Sequence, residues 1–121
     1  LTDLHGIGTF SALVVVAELG EVDRFHRGEE VAAYAGLTPR VRQSGTQDRH
    51  GAITKSGSAW LRWILVEASM KVIQKDEALR AFYYRVQRRA GWRRARVAVA
   101  RKLAVICWKR LRTWHQQYAA A

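Results

Sequence analysis

Apolar side chains recur along this sequence at helical rather than alternating spacing, and the longest periodic stretches lie in its second half. Trp60, Leu61, Ile64, Leu65 and Ala68 follow an i, i+1, i+4, i+5, i+8 pattern that puts them on one face and predicts a helix from Ser58 to about Lys75. Asp76 can N-cap a further helix with Leu79, Phe82, Tyr83 and Val86 as its apolar face, ended by Gly91-Trp92. Arg93 to Tyr118 is the longest periodic segment. Val99, Leu103, Ile106, Cys107, Leu111, Trp114 and Tyr118 share one broad face of it, and Arg94, Arg101, Lys102, Lys109 and Arg112 fall opposite. In the first half, Phe10 to Leu19 reads as a helix closed by Gly20, and Glu21 to Gly36 as a turn and a short helix carrying Phe25, Val31, Ala32, Tyr34 and Ala35. Pro39 forbids further helix. The pattern predicts an all-α, mainly helical fold of about five helices, three of them longer and in the second half.

Two stretches interrupt the helical period. His5-Gly6-Ile7-Gly8 has the h-G-h-G form that opens a helix-hairpin-helix over residues 1–20, in which glycines bring backbone N–H groups close to a phosphate. A tight turn between two packed elements explains the same glycines. Leu1-Thr2-Asp3-Leu4, ahead of it, reads as the cut end of a preceding helix, which suggests an excised domain. The second interruption, residues 37–57, carries Arg40, Arg42, Arg49 and Lys55 together with Ser44-Gly45 and Ser56-Gly57, the latter followed at once by Ser58. Val41 and Ile53 could pair in a short β-ribbon with Ser44 near its tip, since Gly45 and Gly51 permit the turn. The first turn of the helix beginning near Ser58 offers unpaired N–H groups, and Lys55 and Arg62 bracket it, so an anion is favoured there. The alternative is a solvated hairpin with ordinary surface arginines.

Charge sharpens the choice of partner. The chain has 121 residues, enough for one domain with its own core, and 21 Lys and Arg against 10 Asp and Glu, a formal charge of +11. The last acid is Glu77, and residues 78–118 form a basic helical region in which no opposing charge interleaves. Such a surplus points to a polyanion. The longest uncharged apolar run, Phe10 to Ala17, is far too short to span a bilayer, and no signal peptide is visible, so no membrane partner is expected. A single cysteine, Cys107, excludes an intrachain disulfide and suits a reducing cytoplasm. His5, His26, His50 and His115 have no neighbours at metal-ligand spacing, so no metal site and no cofactor is expected. Trp92 and Trp108 are read as core residues, with base stacking as the alternative.

The combination Gly6-Ile7-Gly8, Ala35-Gly36-Leu37-Thr38-Pro39, Ser44-Gly45, Ile53-Thr54-Lys55-x-Gly57 and Leu61-Arg62 resembles the C-terminal domain of the insertion-sequence one-ten family of DEDD-type transposases, which includes bridge-RNA-guided recombinases. The resemblance covers nearly the whole chain. It implies that Ser44 is a nucleophile that joins DNA covalently; the glycine turn, the basic central stretch and the C-terminal cations, read above from the residues themselves, give Gly6, Gly8, Arg40, Arg42, Gly45, Arg49, Lys55, Gly57, Arg62, Arg94, Arg101, Lys102, Lys109 and Arg112 as DNA-binding positions. It further implies an N-terminal RNase H-like domain of the same protein that binds Mg2+ through four acids, homo-oligomers on DNA, a guide RNA in some members, and a bacterial cytoplasm with association to the nucleoid. No such acidic quartet can be placed in these residues, so this chain resembles half of a composite site. A non-catalytic helix-hairpin-helix module that only holds nucleic acid needs the same phosphate contacts.

Overall fold

The computed structural model describes Leu1, Leu4, residues 6–37 and residues 59–119, with the side chain of residue 119 left aside. Among them are five α-helices and no strand: α1 (Thr9–Leu19), α2 (Gly28–Tyr34), α3 (Ala59–Val72), α4 (Glu77–Ala90) and α5 (Trp92–Ala119), with a 3-10 turn at Val22–Arg24. The all-α expectation stands. The ribbon expected between Val41 and Ile53 lies outside the described residues.

Each helix ends where local chemistry stops it. Gly20, at φ +63°, closes α1 with its N–H on the Val16 carbonyl. At the end of α2, the Leu37 N–H reaches the Ala32 carbonyl (2.9 Å) and the Gly36 N–H that of Ala33 (3.0 Å), a Schellman pair that needs the positive φ of +73° at Gly36. The Asp76 carboxylate accepts from the Leu79 N–H at 2.9 Å and starts α4. Gly91, at φ +95°, lets the chain turn from α4 into α5.

The 28-residue α5 is the spine, and every other helix packs against it; α1 also lies on α3. Its early positions Ala95, Ala98 and Val99 join Val72, Leu79, Tyr83 and Val86 in one apolar cluster. Its middle positions Ala100, Leu103, Ala104, Cys107 and Trp108 join Val15, Leu19, Phe25, Val31, Leu61 and Leu65 in a larger one. Trp108 is 2% exposed, and its indole N–H donates to the Val22 carbonyl at 2.9 Å, which satisfies the one polar atom this ring brings into the core. Ser69, buried in α3, is likewise satisfied by the Val66 carbonyl. Cys107 is fully buried.

Four aromatic positions depart from the sequence pattern. Trp60 is exposed while Leu61, Ile64, Leu65 and Ala68 of the same stripe are buried, because the stripe is wider than the surface available to it. Trp114 and Tyr118, near the end of α5, are exposed, and neither joins the apolar core. Trp92, half exposed, sits at the α4–α5 corner rather than in the core, where Trp108 does sit.

Candidate nucleic-acid interface

Of the positions singled out from the sequence, Arg40, Arg42, Ser44, Gly45, Arg49, Lys55 and Gly57 lie outside the described residues, as does His5. Gly6, Gly8, Arg62, Arg94, Arg101, Lys102, Lys109 and Arg112 can be placed.

Gly6 and Gly8 have different environments. Gly6 has φ +95°, and a Cβ there would stand 3.0 Å from the Lys71 Cβ and 3.1 Å from the Ala68 carbonyl oxygen of α3. The positive φ and the tight packing against α3 together favour glycine at this position, with no ligand needed to explain it. Gly8 N-caps α1 in an extended conformation with open space around it, so its backbone is accessible.

Arg62 and Arg101 come together at the end of α2. A Cβ on Gly36 would lie 2.6 Å from the Arg62 guanidinium, so that side chain from the first turn of α3 rests directly on the glycine. From α5, the Arg101 guanidinium donates to the Leu37 carbonyl at 3.4 Å, a long and weak bond. Two guanidinium groups, remote from each other in sequence, thus flank Gly36-Leu37, the residues that immediately precede residues 38–58. No carboxylate among the described residues lies within 4.0 Å of either. Their remaining N–H donors suit a phosphate, which a planar guanidinium can grip with two bonds.

The other α5 cations do not form one stripe facing solvent. At 100° per residue, Arg94, Arg101 and Arg112 fall on one row and Lys102 and Lys109 on the next. Arg94 is exposed at the start of the helix. The Lys102 ammonium lies 4.5 Å over the Phe82 ring, and the Arg112 guanidinium 4.3 Å over the Trp108 ring. Lys109 stands on the rim of an apolar groove of about 790 Å³ between α1 and the end of α5, lined by Leu13, Val16, Leu111 and Trp114. Helices on several sides of α5 leave it no single free face.

Sequence reasoning passed over the α4–α5 corner, where Arg88, Arg89, Trp92 and Arg93 are all exposed beside Arg94. The signal was the run Arg88-Arg89-Ala90-Gly91-Trp92-Arg93-Arg94, in which Gly91-Trp92 reads as a helix end and Arg94 as a DNA-binding position, with base stacking as the alternative for Trp92, while Arg88, Arg89 and Arg93 go unassigned. Among the described residues no group of three or more His, Cys, Asp or Glu could hold a metal ion, and no helix is long and apolar enough to cross a membrane.

Comparison with known proteins decides the family. The model of the Transposase IS116/IS110/IS902 family matches residues 1–84. The chain belongs to this transposase family. The transposase for insertion sequence element IS1111A of Coxiella burnetii is 33% identical over 109 residues, which are 87% of this chain and 30% of that protein. A probable family 20 transposase of Pseudomonas aeruginosa is 34% identical over 112 residues, 89% of this chain and 33% of that protein. The transposase for insertion sequence element IS1328 of Yersinia enterocolitica is 29% identical over 118 residues, 89% of this chain and 34% of that protein. This transposase-family chain thus spans about a third of the length of the relatives it matches. No solved structure matches it.

Proposed function

We propose that this chain is the DNA-binding and strand-joining part of an insertion-sequence transposase, with Ser44 as the nucleophile. The observation that carries the reading is the family match across residues 1–84, which include Ser44-Gly45 and the surrounding basic positions. Arg62 and Arg101 support it, because both present guanidinium donors beside the residues that lead into that basic stretch.

In the proposed step the Ser44 Oγ attacks the phosphorus of a DNA phosphodiester and its proton passes to a base. The bond from phosphorus to one deoxyribose oxygen breaks, and that oxygen leaves with a proton as a hydroxyl. The product is a serine–DNA phosphodiester. Attack of a second DNA hydroxyl on it reverses the chemistry and joins strands. Arg42, Arg49 and Lys55 lower the cost of the developing negative charge, while Arg62, Arg101 and the exposed backbone at Gly8 hold flanking phosphates. The remaining basic positions, Arg40, Arg94, Lys102, Lys109 and Arg112, add to the field, and Gly45 and Gly57 leave the backbone open to DNA.

The family resemblance extends the proposal to a single helical unit working with an RNase H-like domain of the same protein, to oligomers on DNA, to a guide RNA in some members, and to the bacterial nucleoid. The acids that would hold magnesium are not found among the described residues, and no step above is routed through it.

The test uses full-length protein. Ser44→Ala should keep fold and DNA affinity while strand joining and a denaturation-resistant protein–DNA adduct both disappear. Recombination that survives Ser44→Ala would reduce this chain to a helix-hairpin-helix module that only holds nucleic acid, and an adduct mapping to Ser56 or Ser58 would move the nucleophile.

A further inference from the structure

We propose that the α4–α5 corner is a separate binding site for an unpaired nucleic-acid strand, with one base stacked on Trp92 and its phosphates held by Arg88, Arg89, Arg93 and Arg94. The proposal rests on the reading of this chain as a nucleic-acid-binding protein, but it concerns residues which that reading does not use, apart from Arg94.

Three observations converge on the corner. Trp92 is 50% exposed, and its neighbours are cations: the Arg93 guanidinium lies 5.3 Å and that of Arg96 5.9 Å from the ring centroid. The other exposed tryptophans have aromatic company instead, Trp60 against Trp63 and Trp114 against Tyr118. Secondly, Arg88 and Arg89 end α4 and Arg93 and Arg94 begin α5, so all four lie within about one helical turn of Gly91 and are exposed. Among the described residues none of the four has a carboxylate within 4.0 Å, and the nearby Glu67 is taken by Arg96 at 3.9 Å. Like charges so gathered repel one another, and a polyanion relieves the repulsion. Thirdly, a Cβ on Gly91 would meet nothing within 4 Å among the described residues, so none of them packs against the outer side of the turn there.

The tryptophan selects the ligand. Arginines accept the phosphates of duplex and single strand alike, whereas an indole ring can stack only on a base whose face is uncovered. Inside a duplex both faces of a base are occupied by its neighbours. A cationic surface with one exposed ring is the arrangement that holds single strands without reading sequence. Trp92 lies nine residues before Arg101 on the same helix, about 13 Å along its axis, so this site and the one at Gly36-Leu37 are distinct.

The test measures binding of full-length protein to labelled oligothymidylate, oligouridylate and a mixed-sequence duplex, each of about 15 nucleotides. Trp92→Ala should weaken single-strand binding by roughly 5- to 100-fold and leave duplex binding within about twofold; Trp92→Phe should recover most of the loss. The oligothymidylate and oligouridylate arms tell whether the strand is DNA or RNA. Arg88→Ala with Arg89→Ala should weaken single-strand binding and flatten its salt dependence by about 0.7 per lost phosphate contact. Single-strand affinity unchanged by Trp92→Ala, an equal loss on duplex, or preferential binding of the corner to anionic phospholipid vesicles would each overturn the assignment. If the wild-type protein bound neither duplex nor single strand, the nucleic-acid reading itself would fall; intact duplex binding with no Trp92 effect would sink only the corner site. Trp92 lies outside both apolar clusters, so circular dichroism of the variant should match wild type.

Discussion

The two ends of α5 expose tryptophans of similar accessibility in opposite surroundings. At the start, Trp92 has the Arg93 and Arg96 guanidinium groups at its ring, with Arg88, Arg89 and Arg94 exposed close by in the chain; towards the end, Trp114 lines a groove with Leu13, Val16 and Leu111. Leu13 and Val16 of α1 are 64% and 46% exposed there, so the apolar face continues onto a second helix. Exposure of a large ring therefore says little by itself. The neighbours decide what it can meet: cations around Trp92 suit a base attached to phosphates, while the aliphatic surround of Trp114 offers a phosphate only the groove's rim.

The change that would most fully break this contrast removes what holds both ends in place. Trp108→Ala should cost about 3–5 kcal/mol by chemical denaturation, since it empties the core between the two ends and removes one of the two hydrogen bonds to the Val22 carbonyl, which keeps only the Phe25 N–H at 3.3 Å. Next in size, Gly6→Ala should destabilise by more than about 1 kcal/mol, because a side chain there meets α3 at a positive φ, whereas Gly8→Ala should stay within about 0.5 kcal/mol. Thermal melts of the pair would show whether the Gly6-Ile7-Gly8 turn is retained for packing or for phosphate.

Smaller effects sharpen the comparison itself. Arg94→Ala at the cationic end should lower the slope of log affinity for duplex DNA against log salt by roughly 0.9, while Trp114→Ala should leave that slope unchanged. Trp114→Ala should also alter stability by no more than about 0.5 kcal/mol, as expected of a side chain that is 58% exposed.

The smallest effect is at Glu30. The His26 N–H donates to its carboxylate at 2.7 Å and holds its pKa below the ordinary carboxylate value, with the Arg27 backbone and nearby positive charges adding to the shift. The folded pKa is the lower one, so the contribution to stability is present above the unfolded value and lost as pH falls through the folded value. A side-chain NMR titration of Glu30 should show the depressed pKa, and Glu30→Gln should remove its share of the acid dependence.

Arginine use separates what was legible in the sequence from what was not. The surplus of basic residues after Glu77 is plain from the letters. Their assignments are not. Arg80 is spent on the Ile73 and Gln74 carbonyls beyond α3, and Arg24 on the Leu19 carbonyl at the end of α1, where it also stacks on Phe25 and Tyr34. A count of charges treats such residues as equal to Arg93 or Arg94. Coordinates separate them, because a guanidinium that satisfies an orphan carbonyl has fewer donors left for a ligand.

Helix identity and helix ends were settled by local chemistry: the 3.6-residue period, the Asp76 cap and the glycines at Gly20, Gly36 and Gly91 act within a few residues of themselves. Family membership was legible for a similar reason, since short motifs such as Ala35-Gly36-Leu37 and Leu61-Arg62 survive as letters. Only the tertiary structure decided which apolar positions found a cover and which cations found each other. Trp108 and Trp114 lie six residues apart on one helix, yet one is sealed by the 3-10 turn and the other runs beyond it. Arg62 and Arg101 meet at Gly36-Leu37 because α3 and α5 pack side by side, a contact that no periodicity within either helix encodes.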